Sequence, residues 1–180
     1  RSSRKESSAA SDVYKRQHKI KIASMVDEHT RMSLLNIVDR SITAERLIEE
    51  LEKVFAIWGG PPMVLRMDNG PEFISEALRT FCAGSVGISY IPPGTPWNNG
   101  FIESFNNRLR DECLNRNCWP TLLEARVVIE DFKDDHNHRH RHSALGYQTP
   151  AEYSAGCTHR HHPVAVSYTH LRAHETVLDL

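Results

Sequence analysis

The stretch that decides the fold begins with DNGPEF at residues 68–73 and ends with PWNNGFIESFN at residues 96–106. The apolar run MVLRM at residues 63–67 comes directly before it and predicts a buried strand. Asp68 therefore projects its carboxylate at the point where this strand ends and the chain turns. Glu103 lies near the start of a helix-like segment that follows a loop rich in Pro and Gly. The two carboxylates thus arrive from different elements.

Two such carboxylates can share hard divalent cations such as Mg²⁺, which prefer oxygen ligands. Paired metal ions activate an attacking oxygen and stabilise a leaving oxygen in phosphoryl transfer. An Asp-Asn-Gly run on its own is usually only a turn, because Asn and Gly tolerate positive φ. The second segment is what favours the metal interpretation over the plain turn.

Together the two segments resemble the catalytic core shared by insertion-sequence transposases and retroviral integrases, and above all the second-frame protein of bacterial two-frame insertion sequences. In that family an Asp before Asn-Gly-Pro-Glu-Phe and a Glu within Gly-aromatic-Ile-Glu-Ser-Phe-Asn are the second and third members of an Asp, Asp, Glu metal-binding triad. The resemblance covers most of residues 19–155 and implies that Asp68 and Glu103 are catalytic and coordinate Mg²⁺, with Mn²⁺ as an alternative. The family usually has thirty-five residues between these carboxylates, whereas residues 69–102 number thirty-four. The shortening falls within residues 85–91, which leaves Glu103 on the same helix face.

The resemblance also implies a first catalytic Asp on the preceding strand, roughly fifteen to twenty residues upstream of Asp27. Asp27 itself follows the second strand of the family pattern and is not the catalytic residue. Asp12 is the only Asp in the upstream region, and it belongs to a segment of doubtful origin. We therefore expect the first strand and its Asp to be missing, with the core truncated at its N-terminus. Strand 20–27 would then lack a neighbour on one side, and such an edge is prone to association.

The two ends of the chain share an unusual relation at the DNA level. DVYKRQ at residues 12–17 can be encoded by GATGTGTATAAGAGACAG, and the reverse complement, CTGTCTCTTATACACATC, encodes VSYTH at residues 166–170 when read from its third base. This inverted repeat resembles the adapter used in transposon-based sequencing libraries. We therefore interpret residues 1–17 and 166–180 as translated adapter, expect residues 1–17 to be disordered, and exclude both ends from the fold.

Residues 18–155 are then the truncated catalytic core and residues 156–165 a tail, which is enough for one compact α/β domain. The net charge of the whole chain is −1, so nucleic-acid binding finds no support in bulk charge and must rest on local features. The 4 cysteines show neither paired metal spacing nor a disulfide framework, and no apolar run approaches the length of a membrane span. A reduced protein of the bacterial cytoplasm, without a membrane partner, fits best.

Hydrophobic periodicity predicts a mixed α/β sheet with helices on both faces. Strands are expected at residues 20–27, 32–38, 63–67 and 88–91, the first two as a hairpin. Helices are expected after Thr43, around residues 73–82, from 99 to about 116 and after Thr121. The resemblance implies a ribonuclease-H-like fold, which has this order of elements.

Polar side chains near Glu103 suit contacts with DNA. Asn106, Asn107 and Arg110 follow it by three, four and seven residues and share its helix face. Their amide and guanidinium groups can donate hydrogen bonds to phosphate oxygens, although a solvated helix face is the plainer alternative. Arg108 points in a different direction and is expected to be ordinary surface.

The loop PPGTPWNNG at residues 92–100 precedes this helix. Proline limits its entropy, while glycine lets the backbone approach a ligand closely; a simple surface connection is the alternative. In the related enzymes this loop lies beside the active site and touches DNA. The resemblance therefore implies DNA contacts for Trp97 and Asn99, and for Asn69 next to Asp68.

The run HNHRHRH at residues 136–142 invites a zinc interpretation. A spacing of two does not place several imidazoles on one helix face, and no cysteine pair accompanies them. With the residues that follow, the run resembles an Asn-x-x-Arg-x-His-Ser-Ala-Leu-Gly-Tyr pattern that closes the catalytic core in the family. His142 and Tyr147 are therefore expected to be structural or close to DNA.

The sequence as a whole predicts the truncated catalytic core of an insertion-sequence transposase. The full enzyme would cleave DNA at the element ends and join the 3′ hydroxyls to target DNA, as a homo-oligomer and without a covalent enzyme intermediate. One alternative is a ribonuclease-H-like nuclease that only hydrolyses DNA, and another is a catalytically dead DNA-binding or oligomerisation module. Without the first Asp, we expect the chain to be inactive on its own.

Overall fold

A computed structural model describes residues 20–70, 73–92, 100–116 and 119–157, together with the backbone of residues 166–172. The strands are β1 (Lys21–Asp27), β2 (Ser33–Asp39), β3 (Val64–Met67), β4 (Gly87–Tyr90) and β5 (Val166–Arg172). The helices are α1 (Ala44–Ile57), α2 (Glu76–Cys82), α3 (Gly100–Arg108), α4 (Leu122–His138) and α5 (Pro150–Gly156). A π-helical stretch (Leu109–Leu114) continues α3, and a 3₁₀ turn (Ser143–Leu145) precedes α5. No helix in these ranges is long and apolar enough to cross a membrane.

Within the described ranges the strands form one mixed sheet in the order β2-β1-β5-β3-β4. β1 is antiparallel to both β2 and β5, whereas β3 is parallel to both β5 and β4. The predicted hairpin and both later strands are therefore present, with bounds shifted by at most one residue. The parallel half of the sheet brings the ends of β3 and β4 to the same edge.

The central strand β5 corrects two expectations. We left residues 166–180 out of the fold, yet residues 166–172 pair with β1 along its whole length, from Lys21 opposite Arg172 to Asp27 opposite Val166. β1 consequently has a neighbour on each side, and the exposed edge expected for strand 20–27 is absent from the described sheet. The physical reason is that the inner edges of β1 and β3 both carry unpaired backbone groups, which any extended segment of suitable length can satisfy. The origin of this segment as translated adapter stays a prediction.

Helices cover both faces of the sheet. Ile22 and Val26 of β1 point to one face and pack with α3, the π-helical stretch and α4 in the first hydrophobic core. Ala23 and Met25 point to the other face, because successive side chains of a strand alternate, and pack with α1 and α2 in the second core. This two-sided burial explains why β1 is apolar almost throughout.

The helix starts follow local capping chemistry. Thr43 accepts a hydrogen bond from the Arg46 N–H at 3.3 Å at the start of α1, as the sequence predicts. Thr121 caps α4 in the same way through the N–H of Glu124. At α5 the Thr149 hydroxyl accepts from the Glu152 N–H while the Glu152 carboxylate accepts from the Thr149 N–H, which completes a capping box.

The helix predicted from residue 99 to about 116 changes its winding part way along. After Arg108 the chain adopts π-helical geometry, and the N–H of Asn115 donates to the carbonyl of Arg110 at 2.8 Å. The wider turn allows Leu109, Cys113 and Leu114 to enter the first core together. Such single-turn π segments are often found at functional sites.

Candidate active site and the adjoining histidine cavity

Asp68 follows β3 directly and is half-buried. Its Oδ1 atom accepts a hydrogen bond from the Gly70 N–H at 3.0 Å, so the turn expected of an Asp-Asn-Gly run is formed. The Asn69 side chain donates to the carbonyl of Ile91 at 2.9 Å and ties the ends of β3 and β4 together. The turn fixes the carboxylate at the edge of the sheet where two parallel strands end.

Glu103 lies in the first turn of α3 and is exposed. α3 packs on β1 and β5 through buried Ile102 and Phe105. The helix therefore crosses the face of the sheet next to β3, the strand that Asp68 follows. Among the described residues, no group of three His, Cys, Asp or Glu side chains is arranged to hold a metal ion.

Two positions could have supplied a third carboxylate, and neither does. Asp27 is buried in the β1–β2 turn, where its carboxylate accepts from the Thr30 hydroxyl and from the N–H groups of Thr30 and His29, at 3.1 and 3.3 Å. The register position beside Asp68 belongs to Thr169, since Met67 pairs with Tyr168 in the neighbouring strand. Asp27 therefore serves the turn, as expected of a residue that is not catalytic.

The polar residues that follow Glu103 on its helix differ in their exposure to solvent. Asn107 and Arg110 are exposed, as expected for contact with DNA. Asn106 is only 7% exposed and points into the protein, so the face predicted to carry three polar side chains carries two. Asn106 follows buried Ile102 by four residues and precedes buried Leu109 by three, so it shares their inward face in the regular part of the helix. Trp97 and Asn99 lie outside the described residues.

Arg108 is not the ordinary surface residue that we expected. Its side chain is 18% exposed, its Nε pairs with Glu112 at 2.9 Å, and its Nη1 contacts the His136 Nδ1 at 3.0 Å. Because a guanidinium only donates, His136 Nδ1 accepts. The proton of the neutral imidazole is therefore on Nε2, which donates to the carbonyl of Arg31 at 3.0 Å.

Three imidazoles meet at this point. α4 ends at His138 and the chain reverses, which brings His140 and His142 back beside His136. The ring centroids are 5.9 Å apart for His136 and His140, 5.1 Å for His136 and His142, and 4.6 Å for His140 and His142. Sequence spacing missed this cluster, because it considered one helix face and not the turn beyond the helix.

The cluster favours uncharged imidazoles. Burial is the largest cause that lowers the pKa of His136, to about 3, and the pKa of His142, to about 4, and neighbouring positive groups lower both further. Burial and Arg108 also lower the pKa of His140. The three rings line a cavity of about 250 Å³ together with Arg31, Arg108 and Ser104. This cavity adjoins α3 at the residue that follows Glu103.

Comparison with known proteins agrees with the fold. Two models described as the integrase core domain match the chain, one over residues 10–96 and the other over residues 85–150. The insertion element IS407 uncharacterized 31.7 kDa protein of Burkholderia multivorans is 37% identical over 145 residues, which cover 80% of this chain and 52% of that protein. The chain thus spans about half the length of this relative. It belongs to the integrase core domain family, and the predicted likeness to insertion-sequence transposase cores is confirmed.

Solved structures confirm the ribonuclease-H-like fold. A chain of the simian T-cell lymphotropic virus intasome, in complex with PP2A regulatory subunit B56 gamma, matches with a TM-score of 0.62 at 18% identity, over 78% of this chain and 50% of that one. The trimeric form of the HTLV-2 integrase catalytic core domain in complex with magnesium matches with a TM-score of 0.50 at 18% identity, over 73% of this chain and 82% of that one. The predicted fold class is therefore correct.

Proposed function

We propose that this chain is the core of an enzyme of DNA transposition, which cleaves DNA at the ends of an insertion sequence and joins the ends to target DNA. The observation that carries the proposal is the position of Asp68 at the end of β3, next to the sheet face that α3 crosses with Glu103 in its first turn. Membership of the integrase core family and likeness to an insertion element protein support it. The bacterial cytoplasm is the location that such a role requires.

In this proposal Asp68 and Glu103 hold a divalent metal ion, with Mg²⁺ preferred over Mn²⁺. Both donors are carboxylates, which suit a hard cation, and a related fold has been solved with magnesium. A bound metal ion activates the attacking hydroxyl and stabilises the leaving oxygen. The half-buried Asp68 is oriented by the Gly70 N–H, while the exposed Glu103 is free to approach from the helix.

DNA and further copies of the chain are the proposed partners. Exposed Asn107 and Arg110 extend from the helix that carries Glu103 and are suited to phosphate oxygens. We assign the same role to Trp97 and Asn99 in the preceding loop. Asn69 contributes chiefly by joining the ends of β3 and β4, since its amide donates to Ile91. Asn106 supports the helix from within, because it is buried.

The chain as it stands is proposed to lack activity, since no third carboxylate joins Asp68 and Glu103 in this proposal and the described residues contain no group of three metal-binding side chains. Mg²⁺ keeps its waters where protein ligands are few, so two carboxylates hold it weakly. The test is Mg²⁺-dependent nicking and joining of labelled element-end DNA by the 1–180 chain, beside a version that carries the native upstream segment. We expect joining only from the longer version. Joining by the 1–180 chain that Asp68→Asn abolishes would contradict the proposed inactivity, and hydrolysis without joining by the longer version would favour a nuclease.

A further inference from the structure

The cavity beside α3 is lined by several nitrogen-bearing side chains. Two arginines and three histidines contribute to it, together with Ser104, and no carboxylate lines it within the described part of the chain. The walls come from separate parts of the chain, namely β1 and the turn after it, α3, the end of α4 and the segment that follows α4. A group bound there would meet nitrogen donors from several directions.

Two of these nitrogens are buried and have no hydrogen-bond partner among the residues that the structure describes, namely Arg31 Nη1 and His142 Nε2. Buried polar atoms are nearly always paired, because leaving one unpaired forfeits its hydration. Two unpaired nitrogens in the lining of one cavity indicate that the cavity is built for a polar ligand. One of the two belongs to a guanidinium, which is always charged and only donates.

Arg31 is held in place by its surroundings. Its backbone adopts a left-handed φ of 64°, its N–H donates to the carbonyl of Asp27, and its guanidinium lies 3.5 Å from the centroid of the Phe101 ring. A non-glycine residue in this conformation is uncommon and merits a functional explanation. Here the conformation turns the side chain toward the cavity that it lines.

The nearby carboxylates are already engaged. Glu28 binds the Arg66 Nη1 with both oxygens, at 2.9 and 3.1 Å, and Asp27 accepts from Thr30. Glu112 pairs with Arg108, whose guanidinium also donates to His136. Asp27 and Glu28 also lie near Arg31 and offset part of its positive charge, but the Nη1 of Arg31 has no hydrogen-bond partner among the described residues and can donate to a ligand.

We propose that this cavity binds a phosphate group, with Arg31 and His142 as direct hydrogen-bond donors and Arg108 and His140 as flanking groups. Donors that converge from three directions suit a tetrahedral oxyanion better than a planar carboxylate, which two parallel donors satisfy. The neutral His142 donates through Nε2–H. The phosphate comes either from the DNA backbone or from free phosphate. The DNA source rests on the proposed function, whereas phosphate binding itself requires neither Asp68 nor Glu103.

The experiment measures binding of inorganic phosphate to the 1–180 chain by NMR, following the imidazole signal of His142 and the guanidinium signal of Arg31. Both signals should shift together along one saturating curve. Arg31→Asn, which tolerates the left-handed φ, and His142→Phe, which keeps a ring of similar size, should each weaken binding by about tenfold or more, since each removes one hydrogen bond to a charged group. Arg40→Asn is the matched control, because it removes an equal charge at the opposite end of the β1–β2 hairpin, and it should bind as the parent chain does.

The two phosphate sources are separated by adding a short DNA duplex to the phosphate-loaded chain. Displacement of phosphate assigns the cavity to a backbone phosphate, and DNA binding without displacement assigns it to free phosphate. A chain that binds phosphate but no DNA would retain this site and count against the proposed function. The site is overturned if phosphate leaves both signals unmoved, or if folded Arg31→Asn and His142→Phe bind phosphate as tightly as the Arg40→Asn control.

Discussion

Individual side chains join the elements of this protein at a few buried points. Asn137 on α4 is one of them, since its Oδ1 accepts from the Ser33 N–H at 2.8 Å and its Nδ2 donates to the Ser33 carbonyl at 2.9 Å. His136, one residue earlier, binds the carbonyl of Arg31 and accepts from Arg108. The sequence pattern that contains these residues resembles the one that ends the catalytic core in the family. In the structure, Asn137 and His136 attach α4 to the β1–β2 hairpin through Ser33 and Arg31.

Replacement of Asn137 by Ala should destabilise the fold by about 2–4 kcal/mol, because it leaves two backbone groups of Ser33 unpaired in a buried place. Chemical denaturation measures this loss as a lower midpoint, while the slope of the unfolding free energy against denaturant concentration stays unchanged. Asn115→Ala, at an exposed position, is the control and should stay within about 0.5 kcal/mol of the parent chain. Equal stability of the two variants would show that the Asn137 pair contributes nothing.

Acid should destabilise the protein through the histidine cavity. Folding lowers the pKa of His136 from 6.5 to about 3 and that of His142 from 6.5 to about 4. The unfolded chain therefore binds these protons more readily. The contribution of these neutral rings to the free energy of unfolding is fully present above about pH 6.5. It is lost as the pH falls through the folded-state pKa of His142, about 4, and then that of His136, about 3.

The free energy of unfolding should fall between pH 7 and pH 4. His136→Gln removes one group that takes up a proton on unfolding, so it should reduce the slope of this fall by roughly 1.4 kcal/mol per pH unit. Asn115→Gln, at an exposed position without a titratable group, is the control and should leave the slope unchanged. A parent chain as stable at pH 4.5 as at pH 7 would contradict the burial of neutral imidazoles.

The proposed DNA-binding face can be tested by removing one positive charge, that of Arg110. Arg110→Ala should weaken binding to DNA of any sequence and reduce the dependence of log affinity on log salt by about one unit. Arg79→Ala, exposed on α2 at the other face of the sheet, should do neither. A loss confined to one DNA sequence, with the salt slope unchanged, would argue against phosphate contact.

At the scale of elements, local patterns predicted most of the fold. The apolar spacing and Thr43 cap of α1, the run that became β3 and the burial pattern of α4 are properties of short windows. β5 could not be predicted in the same way, because its partners are distant in sequence and its residues were assigned to translated adapter. The π-helical stretch and the meeting of the histidines were missed because both depend on how the chain departs from a regular helix.

β5 offers a position at which the proposed metal site can be tested. Thr169 follows the residue that pairs with Met67, and Asp68 follows Met67, so the two positions are neighbours across parallel strands. Thr169→Asp should therefore raise the affinity for Mg²⁺, by about tenfold or more if the new oxygen joins the same ion. Calorimetric titration with Mg²⁺ measures the change.

Thr169→Asn is the matched control for this variant, since it has a similar shape and no charge, and it should not tighten binding. Asp68→Asn combined with Thr169→Asp should remove the gain. If the gain persists in the double variant, the new carboxylate binds an ion elsewhere and the register argument fails.

At the scale of the whole molecule, a five-stranded sheet among the described residues separates two hydrophobic cores, and the helix that carries Glu103 and the phosphate cavity proposed above lie on the side of the first core. α3 carries Glu103 and adjoins this cavity, while Asp68 ends the neighbouring half of the sheet. The sequence predicted the fold class and the two carboxylates from short motifs. It missed the cavity, because Arg31, Arg108 and His142 are far apart in the chain and meet only through tertiary packing.

The central claim is that Asp68 and Glu103 share one divalent cation, and Mn²⁺ tests it most directly. Mn²⁺ broadens NMR signals near its binding site, so titration of the 1–180 chain should broaden the amide signals of Gly70 and Ile102 together, at the same concentrations. Glu130→Gln, exposed on α4, should leave this pattern unchanged, whereas Asp68→Asn and Glu103→Gln should each abolish the broadening at both amides. Broadening near Glu103 that survives Asp68→Asn, or broadening at only one of the two amides in the parent chain, would contradict a shared metal site.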